Sequence, residues 1–295
     1  MPGTHIEVST FEFYRFRFHF RTLEAVGFPA GQGANAIRGA FGAALRRTAG
    51  AADYRRLFEP GAELAASPSG LQDWPRPFVF RTAHLEGATV AGGSDFFIDV
   101  HVFDVRQPSR DLFLAAFAEL GGRGIGREHG RAELVRVEQL DLEDRAAEGP
   151  PAVVLLAAPA GAAACSAVRL RFITPTELKW KGQRVDRPEF GILFARLRDR
   201  ISTLRALYGA GPLALDFSGM GGRAERVRLA RCDLRYAEAQ RRSARTGQVH
   251  PLGGFTGEAE YTGALAEFLP WLRAARWVGV GRQTVWGKGD VRVIP

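Results

Sequence analysis

Hydrophobic residues recur along the chain first with the period of a strand and then with the period of a helix. From Tyr14 to Arg21, aromatic residues alternate with arginine and histidine, which predicts a strand with one buried and one cationic face. A helical pattern over 37–48 predicts a helix with Asn35 as its N-cap and Gly50 as its end. Further predicted elements are strands at 77–82, 94–105 and 131–138, and a helix around 112–120.

A second series of elements repeats this order in the other half of the chain. It consists of predicted strands at 168–174, 226–236, 255–261 and 291–293, with helices at 190–208 and 265–272. Each series has the order βαββαβ, which predicts an α+β protein of two tandem ferredoxin-like domains. We place the N-terminal domain at 1–140, an Ala-, Pro- and Gly-rich linker at 141–164, and the C-terminal domain at 165–295. Within the linker, 153–156 is predicted as an additional strand.

Each series contains a glycine-rich loop between its second helix and its last strand. The loops, 121–130 and 278–289, combine arginine, which binds phosphate, with glycine, which lets backbone approach a ligand closely. Five residues separate Gly281 from Gly287 where a P-loop has four, and Gly289 follows Lys288 in place of serine or threonine. Both loops also follow a helix, whereas a dinucleotide-binding loop opens one. These two nucleotide-binding motifs are therefore excluded.

Acidic residues and a histidine share one predicted strand face, which raises the question of a metal site. Asp95, Asp99 and His101 alternate along their strand. A solvent-exposed strand face explains the same alternation, and the sequence has no HExxH motif and no closely spaced histidines and cysteines. An α/β-hydrolase is excluded too, because Asp216 stands where a nucleophile elbow around Ser218 requires glycine. We therefore predict no metal and no cofactor.

Charge indicates a polyanionic partner. The 295-residue chain has forty Lys and Arg against thirty-two Asp and Glu, a formal charge of +8. Eight arginines fall within 223–245 against three acidic residues, and such clustering is typical of nucleic-acid binding. The two cysteines belong to no CxxC pair, and neither a secretory signal nor a long uninterrupted apolar segment is visible. These features predict a cytoplasmic protein without a membrane partner.

Several segments of the C-terminal half resemble a known family. They are RRSAR at 241–245, PLGGFTG at 251–257, FLPWL at 268–272, VGVG at 278–281 and TVWGKG at 284–289. In this order they resemble the C-terminal signature of the CRISPR-associated RAMP endoribonucleases that process precursor CRISPR RNA. Segments 37–42 and 174–178 extend a weaker resemblance over the whole chain.

The resemblance implies two RAMP domains that bind a repeat of precursor CRISPR RNA and cleave it without metal. In that reaction the 2′-hydroxyl attacks the adjacent phosphate and leaves a 2′,3′-cyclic phosphate. Such a reaction needs cations at the phosphate and groups that transfer protons. We assign RNA binding to Arg38, Arg123, Arg127, Arg242, Arg245, Arg282 and Lys288.

The proton-transfer group departs from the family pattern. Members of the family often have a histidine near the first helix or its glycine loop, yet 35–48 contains none. Trp277 also stands where many relatives have histidine before the Val-Gly pair. We assign His250 first, because it joins the Arg242 and Arg245 motif to a glycine turn, and His19 second, because it lies on the cationic strand face.

Two other functions stay open on the sequence alone. A catalytically inactive RAMP subunit that binds guide RNA within a CRISPR interference complex fits the missing histidine, whereas the complete C-terminal signature fits the nuclease. A small-molecule enzyme of ferredoxin-like fold has no cofactor motif in its support. The expected partners are precursor CRISPR RNA and other CRISPR interference subunits, and the expected oligomeric state is a monomer or a homodimer.

Overall fold

The computed structural model describes residues 9–295 apart from 32, 62–73, 127, 159–162, 238–239, 243–248 and 252. Its strands are β1 (Thr10–Thr22), β2 (Val26–Gly27), β3 (Phe78–Arg81), β4 (Thr89–Val90), β5 (Asp95–Val102), β6 (Ala132–Leu140), β7 (Ala146–Ala147), β8 (Ala152–Leu155), β9 (Ala167–Thr176), β10 (Lys179–Trp180), β11 (Gln183–Arg184), β12 (Arg228–Ala237), β13 (Gln240–Arg242), β14 (Val249–Pro251), β15 (Gly254–Thr262) and β16 (Val291–Ile294). Its helices are α1 (Gly33–Thr48), α2 (Ala51–Phe58), α3 (Arg110–Arg123), α4 (Phe190–Tyr208), α5 (Phe217–Ala224) and α6 (Leu269–Val278). Over these ranges, none of the helices is both long and apolar enough to cross a membrane.

The N-terminal sheet runs in the order β3-β5-β1-β6-β7, and its neighbouring strands are antiparallel. Phe16, Phe18 and Phe20 of β1 are buried on the face that α1 and α3 cover. Phe41 of α1 and Phe117 of α3 meet there with their ring centres 5.0 Å apart. The period-two pattern of β1 therefore builds an aromatic core on one face and leaves polar residues on the other.

The C-terminal sheet has the order β12-β15-β9-β16, again with antiparallel neighbours. In the N-terminal sheet, β1 lies between β5 and β6, and β3 lies on the outer side of β5. In the C-terminal sheet, β9 lies between β15 and β16 in the same way, and β12 lies on the outer side of β15. Helices α4 and α6 pack in the C-terminal core, where the rings of Phe194 and Phe268 lie 4.7 Å apart. The order predicted for each half of the chain is therefore present.

The start of α1 differs from the prediction. Asn35 is not the N-cap, because α1 begins at Gly33 and Asn35 lies in its first turn. The carboxylate of Glu86 accepts hydrogen bonds from the amides of Gly33 and Ala34 at 3.4 and 3.3 Å. A residue distant in sequence thus satisfies the first amides of the helix. Gly50 ends α1 as predicted, but α2, which the sequence reasoning missed, starts directly after it.

The two halves of the chain share strand β1. Its first residues pair with β8, with Thr10 opposite Leu155 and Phe13 opposite Ala152. Phe11 and Phe13 are fully buried and pack in the C-terminal core, although the rest of β1 belongs to the N-terminal sheet. The additional strand predicted at 153–156 is present as β8. The domain boundaries at 140 and 165 stay a prediction.

Three side chains close the C-terminal end of α6 at the junction of the two sheets. Arg81 Nη2 donates to the Arg276 carbonyl at 2.9 Å, and His101 Nδ1 donates to the Trp277 carbonyl at 2.8 Å. Arg200 Nε donates to the next carbonyl along the helix at 2.8 Å. The last carbonyls of a helix lack partners within it and attract cations. The bonds from Arg81 in β3 and His101 in β5 hold α6, and the loop that follows it, against the N-terminal sheet, whereas Arg200 joins α6 to α4.

Candidate functional site

The C-terminal glycine loop, residues 279–289, lies between the two halves of the protein. Four of its glycines have φ between +71° and +83°, a region in which glycine is unstrained. Val285 packs in the N-terminal core. Gly287 lies against the first turn of α1, because a Cβ at Gly287 would come within 2.8 Å of the Ala34 Cβ. The loop therefore carries residues of the C-terminal half onto the N-terminal end of α1.

Glu177 holds the other side of the glycine loop. Its backbone carbonyl accepts a hydrogen bond from the Arg282 amide at 3.1 Å, and its Oε1 lies 3.0 Å from Arg282 Nη1. Glu177 is buried, whereas about half of the Arg282 side chain is exposed. The ion pair therefore fixes the loop and leaves a guanidinium at its surface, where it can meet a phosphate.

Three buried polar atoms around the contact between the loop and α1 have no hydrogen-bond partner within the described part of the chain. They are Nζ of Lys288, Oγ1 of Thr82 and Oδ1 of Asn35. Thr82 borders Gly287, since a Cβ on that glycine would lie 3.5 Å from Thr82 Oγ1. A buried polar atom without a partner costs about 1–3 kcal/mol, and such atoms are rare in folded proteins. Packing alone does not explain why three such atoms lie at the contact between the loop and α1.

Lys288 is the most unusual residue of this group. Its side chain is 5% exposed, and burial lowers the pKa of Lys288 to about 8, with the Glu177 carboxylate opposing the shift. An amine with this pKa is charged at neutral pH and releases a proton readily. The sequence predicts that Lys288 binds phosphate, but its Gly-Lys-Gly segment contains no sign that the lysine is buried.

Arg38 and Trp286 join α1 to the glycine loop. The Arg38 guanidinium carbon lies 5.4 Å from the centre of the Trp286 ring and 4.6 Å from that of Phe58. Arg38, which stands on α1, is half-buried by these aromatic contacts. The structure therefore gathers three of the predicted RNA-binding residues, Arg38, Arg282 and Lys288, around one loop.

The first glycine-rich loop, 121–130, packs within the N-terminal half. A Cβ at Gly126 would overlap the carbonyl oxygen of Gly27 in β2, so close backbone packing requires this glycine. Arg123 at the end of α3 forms an ion pair with Glu119. Arg127 lies outside the described residues. RNA binding by Arg123 and Arg127 stays a prediction, and close packing accounts for Gly126 without a ligand.

His19 lies on the open face of the N-terminal sheet. Its Nε2 is 2.6 Å from Oε2 of Glu138 on the neighbouring strand β6. Arg17, two residues before it on β1, forms a two-point ion pair with Asp99 at 2.7 and 2.8 Å. Nε2 of His19 is therefore occupied by a carboxylate. The described residues show no contact between His19 and the glycine loop, and its catalytic role stays a prediction.

The motif that contains Arg242 and His250 is described through its backbone. Strands β13 and β14 are antiparallel, with Arg241 opposite His250 and Arg242 opposite Val249. Arg245 lies outside the described residues. The pairing places His250 and Arg242 on adjacent strands of one short ribbon, as their proposed joint action requires. The roles of His250, Arg242 and Arg245 stay predictions.

The strand face considered for a metal carries ion pairs. Asp95 pairs with Arg21, and Asp99 pairs with Arg17. His101 is buried at the end of α6, where burial lowers its pKa well below the ordinary value. No group of three His, Cys, Asp or Glu suited to a metal occurs in the part of the chain that the structure covers. Cross-strand ion pairing explains the alternation of Asp95 and Asp99.

Comparison with known protein families matches both halves of the chain. A family model described as CRISPR-associated endoribonuclease Cas6 matches residues 170–291. A second model, described as an N-terminal domain, matches residues 11–149. A comparison with curated proteins finds no match.

Solved Cas6 structures share the fold over nearly the whole chain. Cas6 (TTHB231) of Thermus thermophilus, in a product complex, has a TM-score of 0.61 at 18% identity, over 96% of this chain and 99% of that one. A product complex of Cas6 (TTHA0078) has a TM-score of 0.56 at 20% identity, over 95% of this chain and 100% of that one. A partial Cas6-RT-Cas1–Cas2 complex has a TM-score of 0.58 at 12% identity, over 97% of this chain and 47% of that one. The predicted α+β fold of two tandem ferredoxin-like domains is thereby confirmed.

The segment matched by the Cas6 model contains the features described above. Residues 170–291 include Glu177 and the whole glycine loop, to which Lys288 belongs. The agreement in fold with the solved Cas6 structures also covers the N-terminal half. The family resemblance noted in the sequence is therefore confirmed: residues 170–291 match the model of the CRISPR-associated Cas6 endoribonuclease family.

Proposed function

We propose that this protein cleaves precursor CRISPR RNA within its repeats by attack of a ribose 2′-hydroxyl on the adjacent phosphate, without a metal ion. The bond from the 2′-oxygen to phosphorus forms, and the bond from phosphorus to the 5′-oxygen breaks. The 2′-hydroxyl proton passes to a base, and an acid protonates the departing 5′-oxygen. The products have a 2′,3′-cyclic phosphate and a 5′-hydroxyl. The observation that carries the proposal is the docked glycine loop, which brings cationic residues to α1 in a chain that matches an endoribonuclease family model.

The residues of the loop fit the electrostatic part of this reaction. Arg282 presents a guanidinium at the loop surface, and Arg38 stands across the loop on α1. Both suit the phosphate oxygens on which negative charge increases during attack. The ammonium of Lys288 would act more strongly than an exposed one, because burial lowers the local dielectric constant. Because Lys288 is 5% exposed, its ammonium would act on the phosphate from below the surface of the glycine loop.

Proton transfer is assigned to His250 and His19. An imidazole titrates near neutral pH and serves as either acid or base. His250 lies in the β13–β14 ribbon with the basic motif, and His19 lies on the open face of the N-terminal sheet. Lys288, with a pKa of about 8, is a third group able to donate a proton.

An inactive RNA-holding subunit is not favoured, because the matched family model describes an endoribonuclease. The similar structures include product complexes of Cas6 and a complex named Cas6-RT-Cas1–Cas2. We accordingly propose precursor CRISPR RNA and other CRISPR proteins as the partners of this chain. A monomer or a homodimer is the proposed oligomeric state.

Replacing the attacking 2′-hydroxyl by hydrogen is expected to abolish cleavage and to leave RNA affinity unchanged. The hydroxyl is the nucleophile of the proposed reaction, whereas binding depends mainly on phosphates and bases. The measurement compares repeat RNA with a single 2′-deoxy nucleotide before the cut, by denaturing gel and filter binding. RNA with the deoxy substitution several nucleotides away is the control and is cut normally. Cleavage of the first RNA at the same phosphate would mean that water attacks instead.

His250→Ala is expected to slow single-turnover cleavage by about 10²- to 10⁴-fold, the range for loss of a proton-transfer group. His19→Ala tests the second assignment in the same assay. His129→Asn is a matched control, because His129 has a positive φ of 53° that asparagine tolerates, and it retains normal cleavage. Wild-type rates in both alanine variants would reject both histidines.

A further inference from the structure

A short hairpin close to the glycine loop presents an exposed tryptophan. Strands β10 and β11 pair Trp180 with Gln183 across a two-residue turn. The turn residues Lys181 and Gly182 have φ of +48° and +81°, and positive values at both positions are those of a type I′ hairpin turn. Trp180 is 41% exposed. A large aromatic side chain is usually buried, so its presentation on a tight hairpin needs a reason.

Contacts at both ends of the hairpin hold the hairpin in position. Leu178, directly before β10, is fully buried in the C-terminal core. Glu177, one residue earlier, holds Arg282 of the glycine loop. In β11, Arg184 donates to the Tyr236 hydroxyl at 2.9 Å and stacks 4.8 Å from the centre of its ring. The hairpin that carries the exposed ring therefore lies between the glycine loop and the end of β12.

Cationic residues lie on both sides of Trp180 in the sequence. Lys179 and Lys181 flank Trp180 in sequence, and Arg187 follows the hairpin. None of these three cations forms an ion pair with another residue in the described ranges. Proteins bind single-stranded RNA with this combination, because bases stack on an aromatic ring while phosphates meet nearby cations. An apolar protein partner would instead have to cover uncompensated charge.

We propose that Trp180 stacks against an unpaired base of the RNA, beside the phosphate bound at the glycine loop. Lys179 and Lys181 contact the phosphates that flank this base. The identity of the RNA as a CRISPR repeat rests on the proposed function. Stacking is tolerant of sequence because every base has a π face, so the hairpin recognises an unpaired nucleotide more than a particular base.

Trp180→Ala is expected to weaken binding of the repeat RNA by about 5- to 150-fold, and Trp180→Phe to retain most of the affinity. Kd is measured by filter binding at one fixed salt concentration. Leu155→Ala removes an apolar side chain on β8 that is more exposed than Trp180 and serves as the matched control, with wild-type affinity. In a second measurement, RNA quenches tryptophan fluorescence of the wild type more than that of Trp180→Phe, because the stacked indole is the one replaced.

Two results would overturn the stacking role. One is wild-type affinity in Trp180→Ala, and the other is an equal loss in Trp180→Ala and Trp180→Phe, since phenylalanine still stacks. Single-turnover cleavage with saturating enzyme separates this inference from the proposed function. If the wild type binds RNA through Trp180 without cutting it, stacking stands and cleavage fails. If the wild type cuts RNA while Trp180→Ala binds normally, cleavage stands and stacking fails.

Discussion

Lys288→Met is expected to stabilise the folded protein by about 3 kcal/mol at pH 7. Burial lowers the pKa of Lys288 from 10.5 to about 8, and a fall of this size corresponds to about 3 kcal/mol. Because the folded state has the lower pKa, the cost is complete below about pH 8 and disappears as the pH rises towards 10.5. Methionine has a similar length and no charge, so it removes the cost without opening a cavity.

Urea unfolding of the wild type and Lys288→Met at pH 7 and pH 10 measures this cost. The difference in unfolding free energy should fall from about 3 kcal/mol to below about 1 kcal/mol between these pH values. Lys181→Met changes an exposed lysine and is the control, with no difference at either pH. Lower stability of Lys288→Met at pH 7 would show that Lys288 is not a buried charge lacking compensation.

The same substitution is expected to reduce RNA cleavage. Lys288 lowers the stability of the free protein, and it lies in the loop that packs on α1. A destabilising residue at such a place is typical of a site in which function and stability conflict. Lys288→Met should therefore be more stable and slower in single-turnover cleavage, whereas Leu155→Ala, at an exposed position on β8, should keep the wild-type rate of cleavage. A variant that is more stable and cleaves at the normal rate would remove Lys288 from the site.

Gly289→Ala is expected to destabilise the protein by about 3 kcal/mol or more and to abolish cleavage. Gly289 has φ of +71°, which strains any residue with a Cβ. The new Cβ would overlap the carbonyl oxygen of Val280 and lie 2.8 Å from its nitrogen. Val280 also donates its amide to the Gly289 carbonyl at 2.9 Å, so the clash falls on the bond that closes the glycine loop.

Thermal unfolding and the cleavage assay test the Gly289 prediction together. Gly222→Ala in α5 is the matched control, because nothing lies within 4 Å of a Cβ there and the position is helical. The control should be as stable as the wild type or more stable by up to about 1 kcal/mol, with normal cleavage. Normal cleavage by Gly289→Ala would show that the closed loop is not required.

The spacing of hydrophobic residues along the chain was enough to predict most of the strands and helices. Phe16, Phe18 and Phe20 must share a buried face if β1 is a strand, and the helical pattern from Phe190 to Tyr208 admits one long helix. Both elements depend on local periodicity, which is visible in the sequence. The first amides of α1 are instead bound by Glu86, about fifty residues away in the sequence. The residues near the start of the helix favour Asn35, because asparagine is a good N-cap residue.

The division of β1 between two cores was also beyond local reasoning. Phe11 and Phe13 continue the alternation of Phe16 and Phe18, yet they pack with the C-terminal core because β8 pairs with the start of the strand. Periodicity tells which face of a strand is buried but not which core buries it. The shared strand becomes visible only when the pairing partner is known.

The candidate functional site was only partly predictable, because it also depends on contacts between distant segments. The arginines and glycines of the loop could be assigned by composition, and Arg38, Arg282 and Lys288 do meet there. The burial of Lys288 and the unpaired Thr82 hydroxyl result from the docking of the loop on α1, a contact between distant segments. The position of the hairpin that carries Trp180 likewise depends on the Arg184 contact with Tyr236.

Incubation of the purified protein with the repeat RNA of its own host in EDTA, followed by analysis of the product ends, tests the central claim most directly. The account predicts one cut within each repeat. The upstream product should have a 2′,3′-cyclic phosphate, and the downstream product a 5′-hydroxyl that polynucleotide kinase labels without prior dephosphorylation. Intact RNA under these conditions, or cutting that appears only with Mg²⁺ and leaves a 5′-phosphate, would contradict the account.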